Sequence, residues 1–305
     1  MKQLPVFTQT KGLNTVEDNA EIDYTRNGLP FLAEAVDVEI SDSGKIHRRQ
    51  GQAMKASGNF RSSFSYLDLS LIVSGDSLYR MHPNYGVSLI KDGLTGMYYD
   101  YVGVNEEVYY VNGSEIGIVD RDGAWKSWSF SQYVGPATTK KFGQPPIGHL
   151  VTHHDARMYV AVDNAVFYSE PYFHAAFDYA RGFIPFASRI RLLKAIPDGL
   201  FVGTEQEIYF LKGTVPQEFA IERVADYPAL INRSSKSMID GSDLLDGAAY
   251  SGPCVVIPTT KGICIGGRGA SGYFNNISIN RIEYPSALYC SVLAEKDRIL
   301  ILINE

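Results

Sequence analysis

Apolar and polar positions along this chain repeat one short pattern: an apolar strand, a tight polar turn, and a second apolar or aromatic strand. Val36 to Ile40 turns at Ser41-Asp42-Ser43-Gly44 into Lys45 to Arg48, and Leu71 to Val73 turns at Gly75-Asp76 into Ser77 to Arg80. Val108 to Val111 turns at Asn112-Gly113 into Glu115 to Val119, and Met158 to Val162 turns at Asp163-Asn164 into Ala165 to Tyr168. Leu200 to Val202 turns near Thr204-Glu205, and Val255 to Ile257 turns near Thr259 to Lys261. Asn-Gly, Ser-Gly and similar pairs between β-branched runs are strong hairpin signals, because the turn needs residues that accept positive φ. The six turns recur every 33 to 56 residues or so, near the roughly 40 to 50 residues of a propeller blade.

The pattern predicts an all-β chain: a β-propeller-like array of about six small antiparallel blades over 31–305, preceded by an N-terminal arm at 1–30. The last apolar stretch, Arg298 to Asn304, has no hairpin partner after it, and the hairpin at 36–49 has no strands before it. Pairing these two would remove two open sheet edges together, so closure by the C-terminal strand on the N-terminal blade is expected. A two-sheet sandwich would also account for alternating hairpins. Two longer insertions interrupt the array, at about 121–150 and 171–189. In the second, Phe173, Phe177 and Ala180 fall at helical spacing, which predicts a short helix. The stretch 225–250 reads as loop with room for one strand.

Composition narrows the classes. Of the 305 residues, 45% are hydrophobic and 20% charged, enough apolar content for a substantial core. The net charge of −6 argues against a protein that coats nucleic acid. Three cysteines without a C-x-x-C spacing provide neither a disulfide framework nor a zinc set, and reduced buried thiols are expected. No secretory signal and no membrane insertion are expected, since no apolar run approaches the roughly 18 residues a span requires.

Candidate chemistry is sparse. His153-His154 is the sole histidine pair, and neighbouring strand residues point to opposite faces, so the imidazoles diverge. Asp120-Arg121-Asp122-Gly123 followed by Trp125 and Trp128 invites comparison with the Asp-box turns of sialidase-type propellers, but its spacing differs and it does not recur; turn geometry suffices. The glycine-rich run Gly262 to Gly272 lacks the Gly-Lys-Ser/Thr and G-x-G-x-x-G signatures of phosphate and dinucleotide loops and reads as strand with bulges. No catalytic residue, metal or cofactor is expected. The aromatic insertion, with Tyr172, Phe173, Phe177, Tyr179 and Phe183, is the candidate contact surface, because clustered aromatics anchor interfaces.

The stretch from Val36 to Gly51 resembles the opening hairpin of propeller-like virion proteins of tailed bacteriophages, which often read N-V-D-hydrophobic-x-x-x-G-x-hydrophobic-x-R-R-x-G. The likeness covers about 12–51 and departs at Ala35, where the family often has Asn, and at Gln50, where Pro is usual. It implies a non-enzymatic neck, tail-nozzle, DNA-stabilisation or hub component: a homo-oligomeric ring bound to portal, adaptor or tail proteins. The location implied is the virion, after synthesis in the bacterial cytoplasm. Arg48 and Arg49 are the basic residues of this motif and join the candidate interface. Passing contact with phage DNA, without tight nucleic-acid binding, is expected, and acidic Asp37, Glu39 or Asp42 would keep a channel from holding phosphates. The alternative class is a glycan-binding or glycan-hydrolysing propeller acting in host adsorption.

Overall fold

The computed structural model describes residues 38–40, 45–48, 54–55, 57–96, 98–233, 237–243, 250–269, 272–276, 287–295 and 298–304. Two short strands, β1 (Val38–Ile40) and β2 (Ile46–Arg48), pair with each other as a separate antiparallel hairpin. Six further sheets follow and form the blades of a six-bladed β-propeller. Blade 1 holds β3 (Phe60–Tyr66), β4 (Leu69–Ser74), β5 (Ser77–Met81) and β6 (Val87–Lys91). Blade 2 holds β7 (Asp100–Val104), β8 (Glu107–Val111), β9 (Ile116–Asp120) and β10 (Trp125–Lys126). Blade 3 is the largest: β11 (Phe142–Gly143), β12 (Leu150–His154), β13 (Arg157–Val162), β14 (Ala165–Glu170), β15 (Phe173–Asp178) and β16 (Phe183–Pro185). Blade 4 has β17 (Ile190–Ile196), β18 (Gly199–Thr204), β19 (Ile208–Lys212) and β20 (Ala220–Ala225). After β21 (Ile231–Asn232), blade 5 is built from β22 (Met238–Asp240), β23 (Tyr250–Thr259), β24 (Gly262–Gly269) and β25 (Gly272–Asn276). Blade 6 combines β21 with β26 (Tyr289–Glu295) and β27 (Arg298–Asn304).

Side-chain alternation explains why the blades stand in a ring. In β8, Val108 and Tyr110 enter an apolar cluster with blade 1, while Tyr109 and Val111 enter another with blade 3. In β13, Met158 and Val160 face blade 2, and Tyr159 and Ala161 face blade 4. Val255 and Ile257 of β23 pack on blade 4, and Cys254 and Val256 on blade 6. Strands buried on both faces read as continuous apolar runs rather than alternating ones. Close approach needs small residues at a few points: a Cβ on Gly103 would lie 2.3 Å from the Tyr66 ring of the neighbouring blade.

Three consecutive inner strands are also tied by charge. The Asp100 carboxylate, opening β7, is 1% exposed. It accepts the Val151 N–H of β12 at 3.0 Å and faces Lys194 Nζ of β17 at 3.4 Å. His149, just before β12, donates from Nε2 to the Ile190 carbonyl of blade 4 at 2.7 Å.

The five sequence-predicted turns from Gly75 onward are present, the turn at 41–44 lies outside the described residues, and the count of six blades holds, but membership differs from the expectation in three places. β27 pairs with β26 over its whole length, from Tyr289↔Asn304 to Glu295↔Arg298, rather than with a strand near 36–40. Blade 6 is therefore assembled from the two C-terminal strands and β21, which joins β26 in parallel register (Ile231↔Tyr289). The predicted short helix within 171–189 is instead the strand pair β15 and β16, and the stretch 225–250 holds two short strands, β21 and β22. The arm at 1–30 lies outside the described residues. Between blades 6 and 1, no buried apolar cluster spans the junction among the described residues; a cleft of about 450 Å³ lies there, with Arg61, Ser62 and Tyr98 opposite Tyr289, Ser291 and Leu302. Tyr98 and Tyr289 stack across it at 5.6 Å.

The buried ion pair gives a test of the axis. Asp100→Ala removes both the partner of Lys194 and the acceptor of Val151 N–H, and should cost about 3–5 kcal/mol in denaturant unfolding. Asp100→Asn keeps an acceptor for that N–H and should cost less. Equal stability of Asp100→Ala and the parent protein would show that the three inner strands do not depend on this tie.

Candidate functional site

The surface that stands apart is on blade 3, where the chain adds strands outside the four-strand plan. Strand β14 carries two partners along one edge: Ala165 to Phe167 pair with β16, and Ser169 and Glu170 pair with β15. β15 then diverges and takes β11 on its other edge, through Phe177↔Gly143 and Asp178↔Phe142. This outer sheet carries the predicted aromatic cluster and divides it by depth: β15 passes from half-buried at Phe173 to buried at Phe177, and the chain emerges again after Asp178.

Tyr172 sits at the tip between β14 and β15 with φ of +63°, and its ring is 83% exposed. Its N–H is held by the Ala156 carbonyl at 2.7 Å. Phe173 is half-buried against Tyr133, with ring centroids 4.7 Å apart. Tyr179 and Phe183 are 45% and 39% exposed and flank Phe167 at 5.4 and 5.6 Å. The Tyr179 hydroxyl donates to the Gln144 carbonyl at 3.0 Å, which fixes the ring on the surface. Phe177 departs from the expectation. It is fully buried, edge-on to Trp128 at 6.2 Å, in the core shared by blades 2 and 3. It therefore belongs to the core and not to a contact surface. Arg48 is exposed at the end of β2, away from this cluster in sequence and sheet; Arg49, Asp37 and Asp42 lie outside the described residues.

Sequence reasoning missed the groove beside this patch. Residues 127–132 run extended without a strand partner, because the Gln144 side-chain amide takes the place of one: it accepts the Phe130 N–H at 2.8 Å and donates to the Phe130 carbonyl at 2.9 Å. Trp128 is turned inward and donates Nε1–H to the His174 carbonyl at 3.1 Å, while Ser127, Ser129 and Ser131 are exposed. Between this segment and Tyr172 to Ala176 lies a groove of about 270 Å³. The serine–aromatic alternation of 127–131 was the available signal, but the Gln144 clamp is invisible in the sequence.

His153 and His154 do diverge. His153 meets the His174 ring edge-on at 5.4 Å, while His154 donates from Nε2 to the Gly213 carbonyl at 2.9 Å. Burial, with the neighbouring His174 and His154, pushes the His153 imidazole down to about 4. Burial also lowers His174 and His149. Among the described residues, no three His, Cys, Asp or Glu side chains gather in a way that could hold a metal ion. Asp120 spends its Oδ1 on the N–H groups of Asp122 and Ala124, at 3.1 and 2.8 Å, which makes the Asp-Gly tip a side-chain-closed turn. In the glycine-rich run, β24 carries register shifts between Gly266 and Gly269, the bulged strand expected. Burial raises all three cysteine thiols above their usual range, to about 11 for Cys254 and Cys264.

No known family profile matches the chain, and no curated protein matches it. Solved structures do resemble it. The WD40 domain of Neurospora crassa Pan2 aligns with a TM-score of 0.46 and 8% identity, over 76% of this chain and 68% of that one. BBS1N in its complex with ARL6DN aligns at 0.48 and 10%, over 77% and 71%. A chain of the S. cerevisiae assembly of dbp5 with nup159 and gle1 aligns at 0.48 and 11%, over 86% and 76%. These likenesses concern the fold only. The propeller rests on the six sheets described above.

Two predictions follow from this geometry. Phe177→Ser should lose about 3–5 kcal/mol and give a poorly folded protein, since it empties a filled core site and buries a hydroxyl; a variant as stable as the parent would place Phe177 at the surface. The histidines set an acid limit. A folded-state value below the ordinary 6.5 means that the unfolded chain binds the proton first, so stability is full above about 6.5 and falls as pH drops toward 4. Urea midpoints should decline over that window, and His153→Gln should flatten the decline; an unchanged slope in that variant would assign the acid sensitivity elsewhere.

Proposed function

We propose that this chain is a non-enzymatic structural subunit of a tailed-phage particle, assembling around the particle axis in the neck or tail. One observation carries the assembly part: Tyr179 and Phe183 are held exposed around Phe167 on the outer sheet of blade 3. A monomer has little reason to fix large aromatic rings at its surface, and such rings anchor interfaces because they bury much area for few rotatable bonds. The phage part rests on the likeness of Val36 to Gly51 to the opening hairpin of phage propeller proteins. The strand pairing Val38↔Arg48 to Ile40↔Ile46 supports that stretch as a hairpin. The partners in this reading are further copies of the chain together with portal, adaptor or tail proteins. Contact with DNA is passing at most.

Tyr179→Ser with Phe183→Ser should leave the thermal midpoint within a few degrees of the parent, because both rings are largely outside the core. It should also shift sedimentation from oligomer to monomer and prevent incorporation into particles. Oligomers of unchanged size in this double variant would overturn the assigned surface. Salt-dependent DNA binding by the isolated chain would overturn the structural role.

A further inference from the structure

We infer that the groove between residues 127–132 and Tyr172 to Ala176 is a binding site for an uncharged saccharide, about one or two sugar rings long. This goes beyond the assembly reading and does not depend on it, since Tyr179 and Phe183 do not line the groove.

The chemistry of the lining selects the ligand. None of the residues around the groove is Asp, Glu, Lys or Arg. Its one titratable ring of the histidine type, His174, is held below its ordinary range by burial and is neutral at pH 7. An ionised ligand entering here would meet no counter-charge among the lining side chains to offset the hydration it gives up. The polar groups present are neutral: the hydroxyls of Ser127, Ser129 and Ser131 and the amide of Gln132. Each hydroxyl both donates and accepts, and the amide does both as well, which matches a ligand whose own groups are hydroxyls.

Shape points the same way. Ser129 and Ser131 are exposed along the segment, and the Trp128 indole beside them is buried. That indole cannot swing, because its N–H is bonded to the His174 carbonyl and its ring meets Tyr109 edge-on at 5.1 Å. Tyr172 stands at the rim with its ring almost wholly in water. Its backbone is in the left-handed region, uncommon for a residue of its size, and is fixed by the bond from its N–H to Ala156. An exposed aromatic ring carried on a fixed backbone, beside a row of neutral hydrogen-bonding groups, suits the two sides of a pyranose. The C–H face lies on the ring, and the equatorial hydroxyls reach the serines. The volume of about 270 Å³ is at the small end of ligand sites and admits no long chain within it.

The test titrates the full-length protein with maltotriose, cellotriose and chitotriose, and with 3′-sialyllactose as the charged counterpart, by saturation-transfer NMR and calorimetry. At least one neutral trisaccharide should bind with Kd of about 1 mM or tighter, and the charged sugar should bind at least about tenfold more weakly. Tyr172→Gly removes the ring while relieving the left-handed backbone, so it should stay folded and weaken binding about tenfold or more. Phe183→Ala, on the same blade but outside the groove, should bind as the parent does. Absence of binding by all three neutral sugars at about 10 mM would overturn the inference. So would affinity unchanged in Tyr172→Gly, or preference for the sialylated sugar. Self-association that Tyr172→Gly abolishes, with no sugar bound by the parent, would assign the groove to a second copy of the chain and overturn it as well.

Discussion

Blades 2 to 5 of this molecule each have two apolar faces, and each face is buried against a neighbouring blade. That constraint shapes the rest. A strand such as β8 divides its side chains between two different cores, one residue to each in turn. The buried apolar clusters consequently lie between blades: 1 with 2, 2 with 3, 3 with 4, 4 with 5, and 5 with 6. Among the described residues one further cluster, Leu230, Ala287 and Cys290 with Ile303, lies within blade 6. Stability of this kind is cooperative around the array, because removing one blade uncovers two faces together. It also accounts for the inner polar tie. Asp100, Val151 and Lys194 belong to three successive blades. The geometry of one buried carboxylate thus fixes the angle between three sheets that apolar contact would leave free to slide.

The fold was legible to the extent that its turns obeyed glycine and asparagine chemistry. Turns such as Asn112-Gly113 and Asp163-Asn164 announce the hairpin between the second and third strands of a blade, and the structure has them there. The turns between first and second strands were silent. They use Leu67, Asn105-Glu106 and Asp155-Ala156 at positive φ, where side chains rather than glycine accept the strained backbone. Closure was misassigned for a related reason. An apolar C-terminal strand needs an edge, and the nearest visible candidate in sequence was the opposite terminus. The actual partner, Tyr289 to Glu295, alternates exposed and buried positions over 289–294 and gives no continuous apolar run. The inner strand of that blade, β21, comes from before blade 5 and pairs in parallel, a crossover that local patterning does not encode.

At the candidate site, the number of aromatics in 171–186 was informative and their spacing was misread. Phe173, Phe177 and Ala180 at intervals of three and four suggest one helical face. Phe177, within β15, enters the core beside Trp128, while Tyr179 follows the end of the strand and is exposed. A period of two and a period of 3.6 give similar counts over so short a run, and the pairing of β15 with β14 and β11 decides between them. The groove depends on a single glutamine that completes the hydrogen bonds of Phe130 from a distant loop. A side chain standing in for a strand leaves no trace in local composition.

The position of these features follows from the same constraint that builds the array. In blades 2 to 4 the inner and middle strands have both faces committed, so there a new surface arises at an outer edge or in a connection. Blade 3 uses both. β14 divides its edge between β15 and β16, and the freed end of β15 recruits β11 from the preceding insertion. The extra strands join the packing on blades 2 and 4 at single points, Phe177 of β15 against blade 2 and Ile184 of β16 against blade 4. Only what they and their connections carry beyond those points is released from the demands of folding. Exposed Tyr172, Tyr179 and Phe183 sit there, while Phe177, four residues before Arg181 and still inside the blade interface, does not. Contact chemistry in this protein begins where inter-blade burial ends.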